Sequence, residues 1–285
     1  MSTRVAYLGP AGTFSDDALA AGTHDDEIER APASTVYAAI DAVAQGEADR
    51  ALVPFENSIE GSVRSTLDSL AFDAPDVVLV GAIDHPIRHS LITRQTIAVA
   101  DIEVVISHPQ ANAQCRRFVR DRLPSAEIRT APSTAEAVRL VGDSRQRWAA
   151  LGAASAAALY GCVVIADGVE DVPDNVTRFV WIAPAGTRAA GAGDWNTTLV
   201  FSELGEDHPG ALVEALAEFS KRGVNLTRIE SRPTRTQLGR YMFFVDVDGR
   251  ETDENVAESI KALRQSAESV RVLGSYPVGG PAPLL

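Results

Sequence analysis

The stretch Asn175–Phe179 brings three chemically different groups together in consecutive residues. Thr177 carries a hydroxyl, Arg178 a permanently charged guanidinium and Phe179 an aromatic ring. A guanidinium is a planar donor that suits bidentate binding of carboxylates, and a hydroxyl can donate or accept a hydrogen bond. The same Thr-Arg pair at the start of a strand is also typical of an ordinary solvated strand edge. The stretch therefore does not identify a site by itself.

Further polar clusters lie beside apolar runs elsewhere in the chain. Gly9–Ser15 is a glycine-rich turn between a predicted strand and a helix, where backbone N–H groups could bind an anion. It lacks nucleotide-loop spacing, and a plain turn fits as well. Phe55–Gly61 follows another apolar strand, although Asn57 or Ser58 there could simply cap a helix. Ser107–Gln110 precedes a helix that carries Gln114. Because strand ends in α/β folds carry ligands, we expect these clusters to line one cleft.

The histidines and cysteines show no pattern that indicates metal binding. His85 and His89 are four residues apart, but a proline between them argues against a helix that would present both to one ion. His108 is interpreted as a turn residue because a proline follows it. Cys115 and Cys162 lack metal-ligand spacing. Two reduced thiols are typical of a cytosolic protein, so we expect a cytoplasmic location.

Composition narrows the classes of partner. The 285 residues are 45% hydrophobic and 23% charged, as in soluble globular proteins. A chain of this length can form two domains or three lobes. No apolar run approaches the ~18 residues that span a bilayer, and the N-terminal residues lack a signal-peptide layout. The net charge of −13 argues against nucleic acid or an anionic membrane as a partner. An anionic ligand would need local cations and backbone N–H groups.

Apolar runs alternate with helical patterns over residues 1–183. Predicted strands cover 4–8, 48–54, 77–83, 90–93, 103–106, 127–131, 148–151 and 163–165, and predicted helices cover 16–21, 35–45, 62–70, 111–123, 133–141 and 153–160. Ser34 and Ser133 are the expected caps of the helices that follow them. The alternation indicates a parallel α/β fold, and its length favours two lobes with a cleft between them.

A different pattern follows a Pro/Gly/Ala-rich link over residues 184–193. Strand, helix, strand, strand, helix and strand are predicted at 197–202, 209–222, 224–231, 241–247, 253–267 and 270–276. This βαββαβ order is a ferredoxin-like unit, with its first helix opened by Asp207–Gly210. Because so small a unit with an exposed sheet face usually pairs with a copy of itself, we expect an oligomer. The tail 277–285 is expected to be loose.

Motifs along nearly the whole chain resemble, in order, those of the prephenate dehydratase family. The catalytic motifs are Gly-Pro-Ala-Gly-Thr-Phe-Ser at 9–15, Val-Pro-Phe-Glu-Asn-Ser-Ile-Glu-Gly at 53–61, Ser-His-Pro-Gln at 107–110 and Thr-Arg-Phe at 177–179. Gly-Ala-Leu-Val at 210–213 and Glu-Ser-Arg-Pro at 230–233 resemble the regulatory motifs of that family's ACT domain. The resemblance implies a two-lobed, periplasmic-binding-protein-like catalytic domain over 1–185 and an ACT domain over 195–276. We expect the monofunctional form, without a chorismate-mutase segment.

The resemblance implies conversion of prephenate to phenylpyruvate, CO2 and water in phenylalanine synthesis, without metal or cofactor. It ties Thr177 most closely to catalysis, and we favour a hydrogen bond from its hydroxyl to the departing hydroxyl group. Arg178 would bind a carboxylate. Glu56 would serve as an acid or, equally, orient Asn57 or Arg178. The expected substrate-binding residues are Asn57, Ser58, Gln114, Thr13 and, by packing, Phe179.

The resemblance further implies feedback inhibition by L-phenylalanine at a site shared between two subunits. The expected effector residues form a helix start and the adjoining strand, namely Gly210, Ala211, Leu212, Val213, Asn225, Leu226, Glu230 and Ser231. Without the resemblance, residues 230–233 would be interpreted as an edge strand ended by proline. We expect a homodimer or a homotetramer built as a dimer of dimers. Deletion of 195–285 is predicted to leave activity and abolish the response to phenylalanine.

Two other functions fit the same residues. An arogenate (cyclohexadienyl) dehydratase would perform the same reaction on a substrate with an amino group in place of the keto oxygen. A non-enzymatic anion-binding protein could also use a two-lobed α/β cleft. The sequence does not separate prephenate from arogenate, and the ACT-like unit argues against the binding protein.

Overall fold

The structure, a computed structural model, describes residues 2–23, 28–204 and 208–279. The elements of its first part are β1 (Thr3–Leu8), α1 (Phe14–Gly22), β2 (Ile28–Ala33), α2 (Val36–Ala44), β3 (Arg50–Asn57), β4 (Gly61–Ser62), α3 (Arg64–Asp68), β5 (Val77–Pro86), β6 (Ser90–Thr93), β7 (Val104–Ser107), α4 (Pro109–Gln114), α5 (Arg116–Arg122), β8 (Glu127–Thr130), α6 (Thr134–Asp143), β9 (Trp148–Gly152), α7 (Ala154–Leu159), β10 (Val163–Ala166) and β11 (Val176–Pro184). The second part contains β12 (Trp195–Ser202), α8 (Ala211–Ser220), β13 (Leu226–Pro233), β14 (Tyr241–Asp248), α9 (Glu254–Ser266) and β15 (Ser269–Pro277). A π-helical turn over Ser69–Asp73 extends α3, and a 3-10 turn lies at Val99–Asp101.

The first lobe is built on a six-stranded sheet in the order β2-β1-β3-β11-β5, with β4 beside β3. β1 pairs in parallel with β2 and β3, whereas β11 is antiparallel to both β3 and β5. Central positions are fully buried on both faces, as the continuous apolar runs of these strands require. The parallel α/β fold predicted from the sequence is therefore corrected in one respect: this sheet is mixed, because β11 returns from the second lobe and runs antiparallel to β3 and β5.

The second lobe is a five-stranded sheet in the order β10-β6-β9-β7-β8. β7 is parallel to β8 and β9, and β6 is antiparallel to β9 and β10. The chain passes between the lobes twice, at residues 87–89 and again at 167–175. The two-lobed α/β layout is thus confirmed, although both sheets are mixed.

Several local predictions differ from the structure. Thr35, not Ser34, caps α2, since its hydroxyl accepts from the backbone N–H of Ala38, whereas Ser133 caps α6 as expected. The predicted helix at 111–123 is divided at Cys115 into α4 and α5. β2 was not predicted because its sequence Ile-Glu-Arg-Ala-Pro-Ala shows little alternation. β3 extends past Pro54 to residue 57, so Glu56 and Asn57 lie within a strand.

The C-terminal unit forms a four-stranded antiparallel sheet in the order β13-β14-β12-β15, which confirms the ferredoxin-like βαββαβ arrangement. One face packs against α8 and α9 in a core that includes Leu199, Phe219 and Ile260. Asp207 and residues 280–285 of the expected tail lie outside the described residues. Among the described helices, none is long and apolar enough to cross a membrane.

The opposite face of this sheet is covered by the first lobe of the same chain. Val200, Phe244 and Tyr276 are buried in one continuous core with Phe55 and Ile182. At Gly274 the two units are so close that a Cβ would lie 2.2 Å from the carbonyl oxygen of Leu79. The predicted exposed sheet face is therefore wrong, because that apolar face is already buried within one chain.

A buried ion pair lies at the same boundary. The Arg228 guanidinium donates to both carboxylate oxygens of Asp246 at 2.7 and 3.2 Å and stacks over the Phe55 ring at 4.5 Å. Arg228 is 9% exposed and Asp246 1% exposed. Arg232 and Arg235 of the C-terminal unit both bind Asp68 of the first lobe. Polar as well as apolar contacts thus join the two parts.

Candidate active site

A cavity of about 370 Å³ lies between the two lobes. It is lined by strand ends and helix starts from both sheets, as the sequence predicts for the polar clusters. The polar residues of its wall are Thr13, Ser15, Ser34, Asn57, Ser65, His108, Gln110, Gln114, Ser133, Thr134, Asn175 and Thr177. The cleft thus brings together Thr13, Asn57, Gln114, Thr177 and Phe179 of the predicted site.

Asn57 and Thr177 face each other across the antiparallel pair β3 and β11. The Asn57 amide is oriented by the backbone N–H groups of Ile59 and Glu60, which both donate to its Oδ1 at 3.0 Å. Its Nδ2 therefore points at Asn175 Oδ1, at 2.7 Å, and at Thr177 Oγ1, at 2.9 Å. Because Thr177 accepts this bond, its own hydroxyl hydrogen remains available to a ligand in the cavity.

Asn175 extends this hydrogen-bond chain across the cleft. Its side chain, 2% exposed, donates from Nδ2 to Gln114 Oε1 of the second lobe at 3.3 Å. Gln114 Nε2 in turn lies 3.4 Å from Glu60 Oε1. Sequence reasoning gave Asn175 no role, although it opens the stretch that was singled out. The signal available in the sequence was the side-chain amide of Asn175, two residues before the Thr177 hydroxyl.

The glycine-rich turn before α1 contributes differently from expectation. Gly12 N–H donates to Asp16 Oδ2 at 2.8 Å, and the Thr13 hydroxyl donates to the Leu8 carbonyl at 3.0 Å. Neither donor is free for a ligand. Ser15, which was not predicted, is 5% exposed, lines the cavity and has no hydrogen-bond partner among the described residues. Its hydroxyl is a side-chain donor that this turn can offer to a ligand.

Arg178, Glu56 and Ser58 do not line the cavity. Successive side chains of a strand point to opposite faces, so Arg178 lies on the other side of β11 from Thr177. There it binds the Asp84 carboxylate bidentately at 2.8 and 2.9 Å, and this bond raises its pKa. Glu56 is opposite Arg178 in register. Ser58 Oγ accepts from the Val176 N–H at 3.0 Å. This geometry gives none of the three a direct contact with a ligand in the cleft.

Among the described residues, the cavity wall contains no arginine, lysine, aspartate or glutamate. Instead, the first residues of α1, α2 and α6 reach the wall with Ser15, Val36 and Thr134. Helix starts carry partial positive charge from unpaired N–H groups. His108, predicted as a turn residue, both lines the cavity and caps α4 through Nδ1, which accepts from Gln110 N–H at 3.3 Å. An anion here would be bound by neutral donors.

The predicted effector residues occupy two faces of the C-terminal unit. Gly210, at φ 103°, is the N-cap residue of α8, and Val213 on the first turn of the helix is 70% exposed. Asn225 donates to Asp248 Oδ2 at 2.9 Å. Glu230 instead lies on the side of the first lobe, where it accepts from Ser62 Oγ at 3.3 Å. The remaining members are Ala211, Leu212, Leu226 and Ser231, of which the first three pack on the core between sheet and helices.

The chain is similar to known proteins over almost its full length. Family models described as "Prephenate dehydratase" and "ACT domain" match residues 5–187 and 200–265. The prephenate dehydratase of Mycobacterium tuberculosis is 45% identical, covering 97% of this chain and 87% of the relative. The structure of prephenate dehydratase from Arthrobacter aurescens in complex with L-Phe superposes with a TM-score of 0.88 at 40% identity, covering 99% of this chain and 93% of that one. GqqA, described as a quorum quenching acylase, superposes with a TM-score of 0.85 at 28% identity, covering 96% and 98%. The chain belongs to the prephenate dehydratase family.

Proposed function

We propose that this protein converts prephenate to phenylpyruvate, CO2 and water in the synthesis of phenylalanine. The observation that carries the proposal is the Thr177 hydroxyl. Its oxygen is held by the Asn57 amide at 2.9 Å, and its hydrogen is free in a cavity between two lobes. A hydrogen-bond donor fixed in this way suits a leaving group that gains negative charge as it departs.

The reaction needs little from the protein beyond orientation and one well-placed donor. The bond between the ring carbon and its carboxylate breaks, and the electron pair moves through the ring and expels the hydroxyl group on the opposite carbon. The ring becomes aromatic, which drives the step. Thr177 donates a hydrogen bond to the departing oxygen, which leaves as hydroxide and takes a proton from solvent to form water.

The substrate's two carboxylates are held by neutral donors rather than by Arg178. Ser15, buried and unpaired at the start of α1, and Thr134, at the start of α6, lie in different lobes and line the same cavity. Helix starts favour anions by about 0.3–1 kcal/mol each at exposed positions and more when partly buried. A dianion that bridges the lobes is thereby bound at both ends.

The same wall favours prephenate over arogenate. Arogenate carries an ammonium group, and the described cavity wall offers it no carboxylate partner. A desolvated charge without a partner is costly. We expect kcat/KM to be higher for prephenate by at least about tenfold, which corresponds to about 1.4 kcal/mol. Equal values for the two substrates would contradict this assignment.

The experiment that tests the activity is incubation of the pure protein with prephenate, with phenylpyruvate measured by its absorbance in alkali. Thr177→Ala should lower kcat by about 10²–10³-fold with little change in KM, because the donor acts only on the leaving group. Thr177→Ser is the matched control, since it keeps the hydroxyl. Binding of prephenate without turnover by the unaltered protein would instead support a non-enzymatic anion-binding protein.

Regulation and assembly complete the proposal. Residues 1–185 form the catalytic domain and 195–276 an ACT domain that binds L-phenylalanine and inhibits the enzyme. The L-Phe complex of the A. aurescens relative supports this effector, and the exposed start of α8 is available for a site shared between subunits. We propose a cytoplasmic homodimer or homotetramer. Light scattering with and without L-phenylalanine, alongside inhibition kinetics, tests both points.

A further inference from the structure

His89 is a buried histidine that contacts both lobes without lining the cavity. It lies where the chain first enters the second lobe, just before β6, and is 2% exposed. Its ring forms a T-shaped pair with Phe14 of α1, with ring centroids 5.2 Å apart and an angle of 89° between the ring planes. Its backbone N–H donates to Glu170 Oε2 at 2.9 Å on the returning segment. These contacts fix the position of the ring.

The hydrogen bond of the ring leads to the active site. Its Nε2 lies 3.0 Å from Gln114 Oε1, whereas Nδ1 is buried without a hydrogen-bond partner among the described residues. Burial lowers the pKa of His89, so the ring is neutral around pH 7. The charged groups near it are Glu170 and, beyond Gln114, Glu60, and the α1 residue that packs on it, Phe14, is uncharged.

The direction of this hydrogen bond follows from the chain of amides. Backbone N–H groups fix Asn57 Oδ1, so Asn57 Nδ2 must face Asn175 Oδ1. Asn175 Nδ2 therefore faces Gln114, and the Gln114 atom it meets must be the acceptor Oε1. A carbonyl oxygen only accepts, so the hydrogen on the imidazole is at Nε2 of His89.

This arrangement decides what Gln114 offers to a substrate. Its Oε1 accepts from both His89 and Asn175, and its Nε2 lies beside Glu60 Oε1. The second hydrogen of Nε2 has no acceptor among the described residues, and Gln114 lines the cavity. A flipped amide would set its NH2 group against two donors and its oxygen against a carboxylate. Two donors therefore hold one orientation of the amide.

We propose that His89 is a positioning residue that, by donating from Nε2, locks the Gln114 amide with its N–H toward the substrate. The proposal rests on the proposed function only for the identity of that substrate. A carbonyl or carboxylate oxygen of the bound dianion is the acceptor that this N–H would meet. Without His89 the amide would rotate, and the donor would be lost for part of the time.

A matched pair of substitutions tests the role. His89→Gln can place an amide N–H at the position of the ring Nε2, whereas His89→Asn has the same chemistry but is one methylene too short. We expect the Asn variant to lose about 10–100-fold in kcat/KM, as is seen when a hydrogen bond that orients a metal-ligating side chain is removed. The Gln variant should retain most of the activity. A lower melting temperature in either variant than in the unaltered protein would show that the substitution destabilises the fold as a whole.

A double substitution shows whether His89 acts through Gln114. In a Gln114→Ala background, His89→Asn should lower kcat/KM by no more than about twofold, because the group it positions is absent. Additive losses, equal activity of the Asn and Gln variants, or an unaltered kcat/KM in the Asn variant would each overturn the proposal. If the unaltered protein does not turn over prephenate, the proposed function fails, and the same comparison is then made on prephenate affinity by calorimetry.

Discussion

Asn57→Asp replaces the donor Nδ2, which faces both Asn175 and Thr177, by an acceptor oxygen, and it should turn the Thr177 hydroxyl hydrogen away from the cavity. In the structure Asn57 Nδ2 donates to Thr177 Oγ1 at 2.9 Å and leaves the Thr177 hydrogen to the cavity. A carboxylate at this position has only acceptors, so the Thr177 hydroxyl would donate to it instead. The other oxygen still accepts from the backbone N–H groups of Ile59 and Glu60, which keeps the side chain in place.

We expect the substitution to change both kcat and KM, each for a different reason. Loss of the donor to the leaving group should lower kcat by about 10²–10³-fold, or about 2.7–4 kcal/mol. The added negative charge acts on substrate binding. Two unit charges about 6 Å apart repel by about 3 kcal/mol at an effective dielectric constant of about 20, so KM should rise as well. kcat at saturating prephenate therefore reports on the hydroxyl, and KM reports on the charge.

Two controls make the prediction sharp. Asn57→Ala leaves the Thr177 hydroxyl free to rotate, so its kcat should fall less than that of Asn57→Asp. Combined with Thr177→Val, which has no hydroxyl to capture, Asn57→Asp should cause a much smaller further loss of kcat, arising only from its contact with Asn175. A kcat for Asn57→Asp within about threefold of the unaltered enzyme, at saturating prephenate, would refute the reasoning for Thr177 as the donor.

Three further predictions concern residues away from the cavity. Arg178→Gln should change kcat/KM by no more than about threefold, because the half-exposed ion pair of Arg178 with Asp84 lies on the other face of β11. A loss as large as that of a Thr177 variant would show that Arg178 takes part in the reaction. Arg228→Met leaves Asp246 buried without its partner and should lower the free energy of unfolding by about 3–5 kcal/mol in guanidinium titrations. Deletion of 195–285, expected from the sequence to leave an active and unregulated enzyme, should instead give an aggregating protein, because the first lobe would expose its core. A monodisperse, active fragment would contradict this.

Much of the architecture follows from local patterns in the sequence. Apolar periodicity gave the positions of nearly all strands and helices, and the position of polar clusters beside them predicted a cleft lined by Asn57, Gln114 and Thr177. The placement of Arg178 was also predictable. In any strand that points Thr177 into a cleft, the next residue must face away. The family motif groups Thr177 with Arg178 and so suggested that both contact the substrate.

The rest depends on pairings between distant segments. Nothing local in β11 shows that it runs antiparallel between β3 and β5, since strand order is set by contacts far apart in sequence. Nor do Val200 and Phe244 reveal that their face is covered by the first lobe rather than by a second subunit. The alternation of residues along these strands is identical in the two cases.

A cavity wall without charged side chains also affects how the substrate arrives. The protein carries a net charge of −13, and the described wall offers an approaching dianion no compensating cation. Diffusional encounter therefore takes place against a repulsive long-range field, which dissolved salt screens over about 10 Å at 0.1 M. The association rate of substrate should consequently increase with ionic strength, the reverse of what is seen for enzymes that steer anions with arginines and lysines. Such an enzyme binds its substrate most slowly in dilute buffer, and added salt speeds the encounter.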